Sequence, residues 1–196
     1  MQHYNIYEMG LDANQANYTA LSPISYLQRA AFVYPHRIAQ IHQDTTYTWG
    51  ETYERCVRLA SGLKSLGIQH GETVSFLCAN IPPMFEAHFG VPMCGAVLNA
   101  INTRLDAEAV AFILQHAETR ILFVDREFSD VASKALKLLA VKPMVIAVDD
   151  PYFDGGELLG EQTYEQLLAK ADADFAWDLP QDEWQAVTLN YTSGTT

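Results

Sequence analysis

Apolar runs of strand length alternate with helix-like stretches through most of this 196-residue chain, and that order limits the folds it can adopt. The strand-length runs are rich in Val, Ile and Leu, whereas the stretches between them repeat apolar residues at helical spacing. Continuous apolar strands joined by helices are typical of a parallel sheet covered on both faces. We therefore predict an α/β fold, a doubly wound and mostly parallel sheet with helices on both faces. The predicted strands are 73–79, 95–100, 120–125, 143–149 and 184–190, and the predicted helices are 84–92, 107–116, 128–140 and 164–171.

The first part of the chain is organised differently. Residues 1–21 are polar and are expected to form an extended N-terminal arm. A short helix is predicted over 22–34, and the alternating pattern of 37–48 predicts a β-hairpin. Thr48 and Glu51 have the spacing of a capping box, in which each side chain satisfies an exposed amide of the other, so a second helix should begin there.

Charge is unevenly distributed along the sequence. The net charge is -12, which repels phosphate backbones and disfavours nucleic acid or an anionic membrane as the main partner. Residues 149–183 contain eleven acidic residues and one basic residue, for a net charge of -10. We interpret this segment as a solvated acidic surface.

Cysteine and histidine usage points away from disulfides and metal centres. Cys56, Cys78 and Cys94 are odd in number and widely spaced, so we predict no disulfide framework and a cytoplasmic location. The six histidines have no metal-ligand spacing. We expect no signal peptide, because residues 1–8 lack a basic start and an apolar core, and no apolar stretch is long enough to cross a membrane.

The last ten residues change from an apolar strand pattern to a hydroxyl-rich segment. Val187, Leu189 and Tyr191 should share one face of the final strand. Thr192, Ser193, Thr195 and Thr196 carry hydroxyls that can donate to an anion, and Gly194 allows the backbone to curl around a phosphate. A polar turn or a helix cap is the structural alternative. Ligands of parallel sheets bind at the carboxyl ends of strands, where this segment should emerge.

Residues 191–196 resemble the first half of the phosphate-binding loop of the adenylate-forming enzymes. This family includes the acyl-CoA synthetases, firefly luciferase and the adenylation domains of peptide synthetases. Further stretches resemble acyl-CoA synthetases in the same order, so the resemblance extends from about Leu21 to Thr196, and it is greatest to medium- or long-chain fatty-acid–CoA ligases. These stretches are 47–51, 66–68, 71–74, 80–82, 89–97 and 99–105.

The resemblance implies a two-step acid–thiol ligase. ATP and a carboxylic acid would give an acyl-adenylate and pyrophosphate, and the thiol of coenzyme A would then displace AMP. By the same resemblance, Thr192, Ser193, Gly194, Thr195 and Thr196 bind the phosphates of ATP, and Thr192 is a Mg²⁺ ligand together with a glutamate further along the chain. Residues 22–196 would be a truncated N-terminal AMP-binding domain.

The same resemblance places the loop lysine and the mobile C-terminal domain beyond residue 196. We therefore expect no catalytic residue in this chain, no turnover by the chain alone and no tightly bound cofactor. The apolar surface left by such a truncation also predicts self-association, for example as a homodimer.

Two other interpretations remain open at this stage. The chain could be a non-catalytic interaction or dimerisation module, or a split subunit that completes its site with another chain. It could also be a flavodoxin-like receiver or nucleotide-binding domain that shares only the architecture. Within the segment 84–89, core packing is the preferred interpretation over a wall for an acyl chain.

Overall fold

The computed structural model describes residues 6–12, 14 and 16–192, and its elements follow the predicted order. Strands β1 (Ile38–His42) and β2 (Thr45–Thr48) form an antiparallel hairpin. Four parallel strands follow: β3 (Thr73–Leu77), β4 (Val97–Ala100), β5 (Ile121–Asp125) and β6 (Met144–Val148). The helices are α1 (Ile24–Val33), α2 (Trp49–Ser65), α3 (Pro82–Met93), α4 (Ala107–His116), α5 (Ser129–Leu138) and α6 (Tyr164–Lys170).

The parallel sheet has the strand order β4-β3-β5-β6 and separates two hydrophobic cores. On one face, Phe76 and Phe123 stack in the sheet and pack with apolar residues of α1, α2, α3 and α6. On the other face, Leu122 and Val124 pack against α4 and α5. Helices therefore cover both faces, which confirms the predicted doubly wound α/β fold.

The start of α2 confirms the predicted capping box. The hydroxyl of Thr48 accepts a hydrogen bond from the Glu51 amide at 3.3 Å, and the Glu51 carboxylate accepts one from the Thr48 amide at 2.8 Å. Thr163 and Gln166 form a second capping box at the start of α6. Local side chains thus determine where both helices begin.

The predicted last strand, 184–190, is wrong in its extent. Around Trp184 the chain forms a turn, in which the Gln185 amide donates to the Asp182 carbonyl at 3.0 Å. Sheet pairing is limited to a parallel bridge between Thr188 and Leu98 of β4. The predicted alternation is confirmed, because Val187, Leu189 and Tyr191 are half-buried while the residues between them are exposed. The segment lies at the sheet edge and pairs on one side, which explains why it is less regular than β3 or β5.

Part of the predicted N-terminal arm lies within the described residues. A 3-10 turn covers Ile6–Glu8, and the side chain of Asn17 accepts a hydrogen bond from the Asn14 amide at 2.9 Å. At the end of the arm, the Leu21 amide donates to the Glu183 carboxylate at 2.9 Å. The arm is therefore linked to the acidic segment far along the sequence.

Candidate functional site

The topological switch point of the sheet is filled by a buried carboxylate. The connections from β3 and β5 leave on opposite faces, so the crevice between their carboxyl ends is where ligands of such sheets usually bind. Asp125, at the end of β5, is 1% exposed and occupies this position. Its Oδ2 accepts from the Ala79 amide at 3.2 Å and its Oδ1 from the Glu127 amide at 3.1 Å. This crevice is therefore closed, and open space lies nearer to β4.

Residues 187–189, which precede the predicted phosphate loop, run beside β4. The Leu98 amide donates to the Val187 carbonyl at 3.0 Å, and the Leu189 amide donates to the Leu98 carbonyl at 2.8 Å. Because this pairing is parallel, the chain leaves the sheet on the side where β3 and β4 end. The predicted position at the carboxyl edge is thus confirmed for Tyr191 and Thr192, the described part of the segment.

Tyr191 is held at this edge by a contact with α4. Its hydroxyl lies 2.6 Å from Nδ1 of His116, and the two rings meet edge to face at 5.7 Å. Thr192 follows and is exposed to solvent, so its hydroxyl is accessible to a ligand. Of the predicted phosphate-binding residues, only Thr192 is described, and the other four lie outside the described residues: Ser193, Gly194, Thr195 and Thr196.

An apolar cavity of about 720 Å³ lies between the hairpin and α3. Ile81 and Met84 are buried at its base, while Phe85 and Phe89 contribute partly exposed rings at its rim. Thr188 of the end segment also lines it. The interpretation of 84–89 as core packing is therefore correct for Met84, which is buried, and wrong for Phe85, which is exposed at the rim.

A second cleft lies at the carboxyl ends of β3 and β4. It has a volume of about 320 Å³, and Asn102 and Thr103 contribute to its lining. Asn80, Met84 and His88 line both this cleft and the apolar cavity. The two spaces therefore adjoin at the edge where the end segment leaves the sheet.

The helix that lines the cavity is held from behind by a buried carboxylate that the sequence reasoning missed. Glu86 is fully buried on the other side of α3 from the cavity rim. Its carboxylate accepts from Nε of Arg55 at 2.7 Å and from the hydroxyl of Tyr164 at 2.7 Å. Gln40 of β1 donates to Glu86 at 3.5 Å and to the hydroxyl of Thr52 at 3.0 Å. These contacts connect β1, α2, α3 and α6.

Burial affects the ionisation of the Glu86 carboxyl and of its partners. It raises the pKa of Glu86, and the neighbouring Arg55 acts in the opposite direction. For Arg55, burial opposes the charged form, but the hydrogen bond to Glu165 and the charge and hydrogen bond of Glu86 outweigh it and raise the pKa of Arg55. Burial also raises the pKa of Tyr164, so its hydroxyl keeps the proton that it donates to Glu86. A signal was present in the sequence, because Glu86 interrupts an apolar helix at a position between Met84 and Ala87.

The described ranges contain neither a cluster of metal ligands nor a membrane-spanning helix. Residues 6–12, 14 and 16–192 contain no group of three or more His, Cys, Asp or Glu side chains arranged to hold a metal ion. Across the same ranges, every helix is too short or too polar to cross a bilayer. Cys56, Cys78 and Cys94 are free and buried, and burial raises the pKa of each thiol.

Curated proteins with similar sequences include CoA ligases. The chain is 47% identical over 193 residues to the acetate/butyrate–CoA ligase AAE7, peroxisomal, of Arabidopsis thaliana, with 92% of this chain and 34% of that protein covered. It is 44% identical over 196 residues to the peroxisomal trans-cinnamate:CoA ligase of Petunia hybrida, at 92% and 34% coverage. The chain thus spans about a third of the length of these relatives.

Solved structures of the same kind share the fold. The anthranilate CoA ligase AuaEII, solved with anthranoyl-AMP, superposes with a TM-score of 0.81 at 21% identity over 94% of this chain and 35% of that chain. The N-terminal domain of FACL13 from Mycobacterium tuberculosis, solved with an inhibitor, gives a TM-score of 0.73 at 26% identity, with 89% of this chain and 42% of that chain covered. The family described as AMP-binding enzyme matches residues 27–196. On this match, the chain belongs to the AMP-binding enzyme family.

Proposed function

We propose that this chain is the part of an ATP-dependent acid–thiol ligase that carries the start of its phosphate-binding loop. The observation that carries the proposal is the family match over residues 27–196, which ends in the segment that leaves the sheet beside β4. The relatives reported above are named as ligases that join acids to CoA. We extend that reaction to the protein in which this chain functions, with a fatty or related carboxylic acid, ATP and coenzyme A as substrates.

The phosphates of ATP are assigned to residues 192–196. Hydroxyls and backbone amides are suitable donors for phosphate oxygens, and Thr192 is exposed where the chain leaves the sheet. An oxygen ligand such as the Thr192 hydroxyl also suits Mg²⁺, which usually bridges protein and substrate phosphates and neutralises their charge. No proposed step requires a side chain of this chain to form a covalent intermediate.

We propose that the chain does not turn over by itself, since its relatives are about three times as long. The location we propose is a reducing compartment, because all three cysteines are free and buried. The cytoplasm and the peroxisome both meet this condition, and the names of the two plant relatives above include the peroxisome.

A chimera tests the proposal directly. Residues 1–196 replace the matched segment of the Arabidopsis acetate/butyrate–CoA ligase, and pyrophosphate release and CoA-thioester formation are measured with ATP, Mg²⁺ and a series of acids. We expect equal amounts of pyrophosphate and thioester, with both products dependent on the acid. A chimera that unfolds as cooperatively as the plant ligase but forms neither product would overturn the proposal.

The split-subunit alternative predicts a different result. It is favoured by exposed apolar side chains of the hairpin, because Ile38 and Ile41 are 57% and 71% exposed. Under this alternative, the chain and the remainder of the plant ligase, produced as two polypeptides, should bind each other and recover activity on mixing. If the chimera were active and the mixture of the two polypeptides were inactive, the two parts would have to be covalently joined, and the split-subunit alternative would be excluded.

A further inference from the structure

A row of three rings joins the end of α4 to the segment that precedes the predicted phosphate loop. His116, the last residue of α4, stacks on Phe112 with the ring centroids 5.5 Å apart. The ring of Tyr191 meets the imidazole edge to face at 5.7 Å, and the Tyr191 hydroxyl lies 2.6 Å from His116 Nδ1. The imidazole thus packs on one ring and hydrogen-bonds to the other.

This contact is the last one that holds the segment before the predicted loop. Sheet pairing ends where the Leu189 amide donates to the Leu98 carbonyl at 2.8 Å. Among the described residues, His116 is the one hydrogen-bond partner of residues 190–192. Consecutive Cα atoms are about 3.8 Å apart, so a displacement of Tyr191 passes directly to Thr192. His116 therefore controls where the loop begins.

The two elements that hold the segment are joined to each other by a buried polar row. The Asn99 side chain of β4 donates to Ser75 Oγ of β3 at 2.9 Å, and that hydroxyl lies 2.7 Å from Oγ1 of Thr119, just after α4. Asn99 and Ser75 are fully buried. The end of α4 therefore keeps a fixed spacing from β4, with which the segment pairs, and the Tyr191 hydroxyl is held at a defined point relative to the sheet.

The row of rings contributes little to the hydrophobic core. Phe112 is 61% exposed and His116 is exposed as well, so substitution of His116 removes little buried apolar surface. Surface substitutions of this kind usually change the free energy of unfolding only slightly. A His116 variant should therefore keep the fold, and its effect on the segment can be measured separately from stability.

We infer that His116 is a positioning residue for the reaction of ATP, because its contact with Tyr191 sets where residues 192–196 meet the phosphates. The inference rests on the proposed function, in which those residues bind ATP. Donors stabilise the developing charge only when they lie within hydrogen-bond distance of it, and a misplacement of about 1 Å can cost about 10²-fold in rate. Loss of the contact should therefore act on kcat more than on the KM for the acid.

Nuclear magnetic resonance of the chain itself tests the contact without catalysis. His116→Ala should shift the amide signals of Tyr191 and Thr192 and lower their order parameters, while the amide of Leu98 in β4 keeps its order. Gln115→Ala changes the exposed neighbour of His116 on α4 and is the matched control, with no change in the order of all three amides. Equal order parameters for Tyr191 and Thr192 in the wild type and in His116→Ala would overturn the inference.

Kinetics of the chimera test the effect on the reaction. His116→Ala and Tyr191→Phe should each lower kcat for pyrophosphate release at least about fivefold, with the KM for the acid changed by less than about twofold. Because both variants remove the same contact, the double variant should be no slower than the slower single variant. His116→Asn places a polar atom near the position of Nδ1 and should recover most of the rate, whereas Gln115→Ala should keep the full rate.

The contrary results are distinguishable from one another. A purely structural role would lower the urea midpoint of His116→Ala and leave kcat of the folded enzyme unchanged, which would overturn the inference. Effects of His116→Ala and Tyr191→Phe that multiply in the double variant would also overturn it, since the two side chains would then act independently. A chimera that is inactive in every form would overturn the proposed function, and the role of His116 in the reaction with it. An active chimera that keeps its full rate in His116→Ala would overturn the positioning residue alone.

Discussion

The Nε atom of Arg55 donates to the carboxylate of Glu86 across 2.7 Å, and this contact joins α2 to α3 where the Glu86 side chain is fully buried. The same guanidinium also pairs with Glu165 of α6 and lies over the ring of Tyr47, 4.6 Å from its centroid. One arginine therefore links three helices and the hairpin. Its contact with Glu86 fixes the side of α3 opposite to the cavity rim.

Removing Arg55 should destabilise the chain much more than neutralising Glu86. Arg55→Ala leaves the Glu86 carboxylate buried without its cation, and the loss of one partner of a buried pair costs about 3–5 kcal/mol. Glu86→Gln keeps an acceptor for Arg55 and Tyr164, so we expect a smaller loss. Urea denaturation followed by circular dichroism measures the free energy of unfolding of both variants.

The matched control for this pair is Lys134→Ala. Lys134 pairs with Asp130 on the exposed side of α5, and loss of such a pair should change the free energy of unfolding by about 0.5 kcal/mol or less. If Arg55→Ala proved no more destabilising than Lys134→Ala, the structural role of the buried pair would be wrong.

The buried carboxyl should also make stability depend on pH. Burial raises the pKa of Glu86 above its ordinary value of 4.5, so the folded chain holds this proton more tightly than the unfolded chain. The stabilisation from the protonated group is then complete below pH 4.5 and is lost as the pH rises through the folded pKa. The wild type should therefore lose stability relative to Glu86→Gln between that pH and neutrality. A difference between the two proteins that is constant across this window would contradict the prediction.

Close packing between α2 and α3 gives a third prediction. A Cβ added at Gly90 would lie 2.7 Å from Leu59 Cδ2 and 2.9 Å from the carbonyl oxygen of Cys56, which is backbone and cannot rotate away. Gly90→Ala should therefore lower the free energy of unfolding by about 1–3 kcal/mol.

Gly62→Ala is the matched comparison for Gly90→Ala. Both glycines are helical, so alanine raises helix propensity equally, but at Gly62 the added Cβ would meet only the side chain of Leu167, at 2.8 Å. Because that side chain can move, we expect a smaller loss of stability in thermal and urea unfolding. A larger loss at Gly62 would show that side-chain packing against α6 is the tighter constraint.

The features that could be predicted from the sequence are those fixed by neighbours along the chain. Thr48 and Glu51 lie three residues apart, and the side chain of each accepts a hydrogen bond from the backbone amide of the other. The largely apolar run of β3 is buried at every position. Such local rules also gave the order of strands and helices. The two-faced arrangement follows from that order, because parallel strands need helical connections.

The buried polar group and the cavity could not be predicted because each is made by distant segments. Glu86 meets Gln40 and Tyr164, which are 46 and 78 residues away, and no spacing rule connects them. The cavity likewise combines β1, α3 and Thr188. The predicted last strand was too long because the prediction relied on the alternation of buried and exposed residues. That alternation is present, but sheet pairing is limited to the bridge at Thr188.

The hydroxyls of the predicted phosphate loop give the last prediction. Pyrophosphate carries more charge as it leaves than it does within ATP, so donors that contact it should act mainly on the rate of the reaction. Loss of one such donor typically lowers kcat by about 10²–10³. In the chimera, Thr192→Ala and Ser193→Ala should each lower kcat for pyrophosphate release by at least about tenfold, with little change in the KM for the acid.

The control for the loop variants is Thr46→Ala, which removes an exposed hydroxyl from the hairpin, distant in sequence from residues 192–196. It should retain the full rate. Thr192→Ser keeps the hydroxyl and should recover most of the activity that Thr192→Ala loses, because the proposed contact needs the oxygen and not the methyl group. If Thr192→Ala and Ser193→Ala both matched Thr46→Ala in kcat, the phosphates would have to be bound elsewhere, and the assignment of residues 192–196 would fail even in an active chimera.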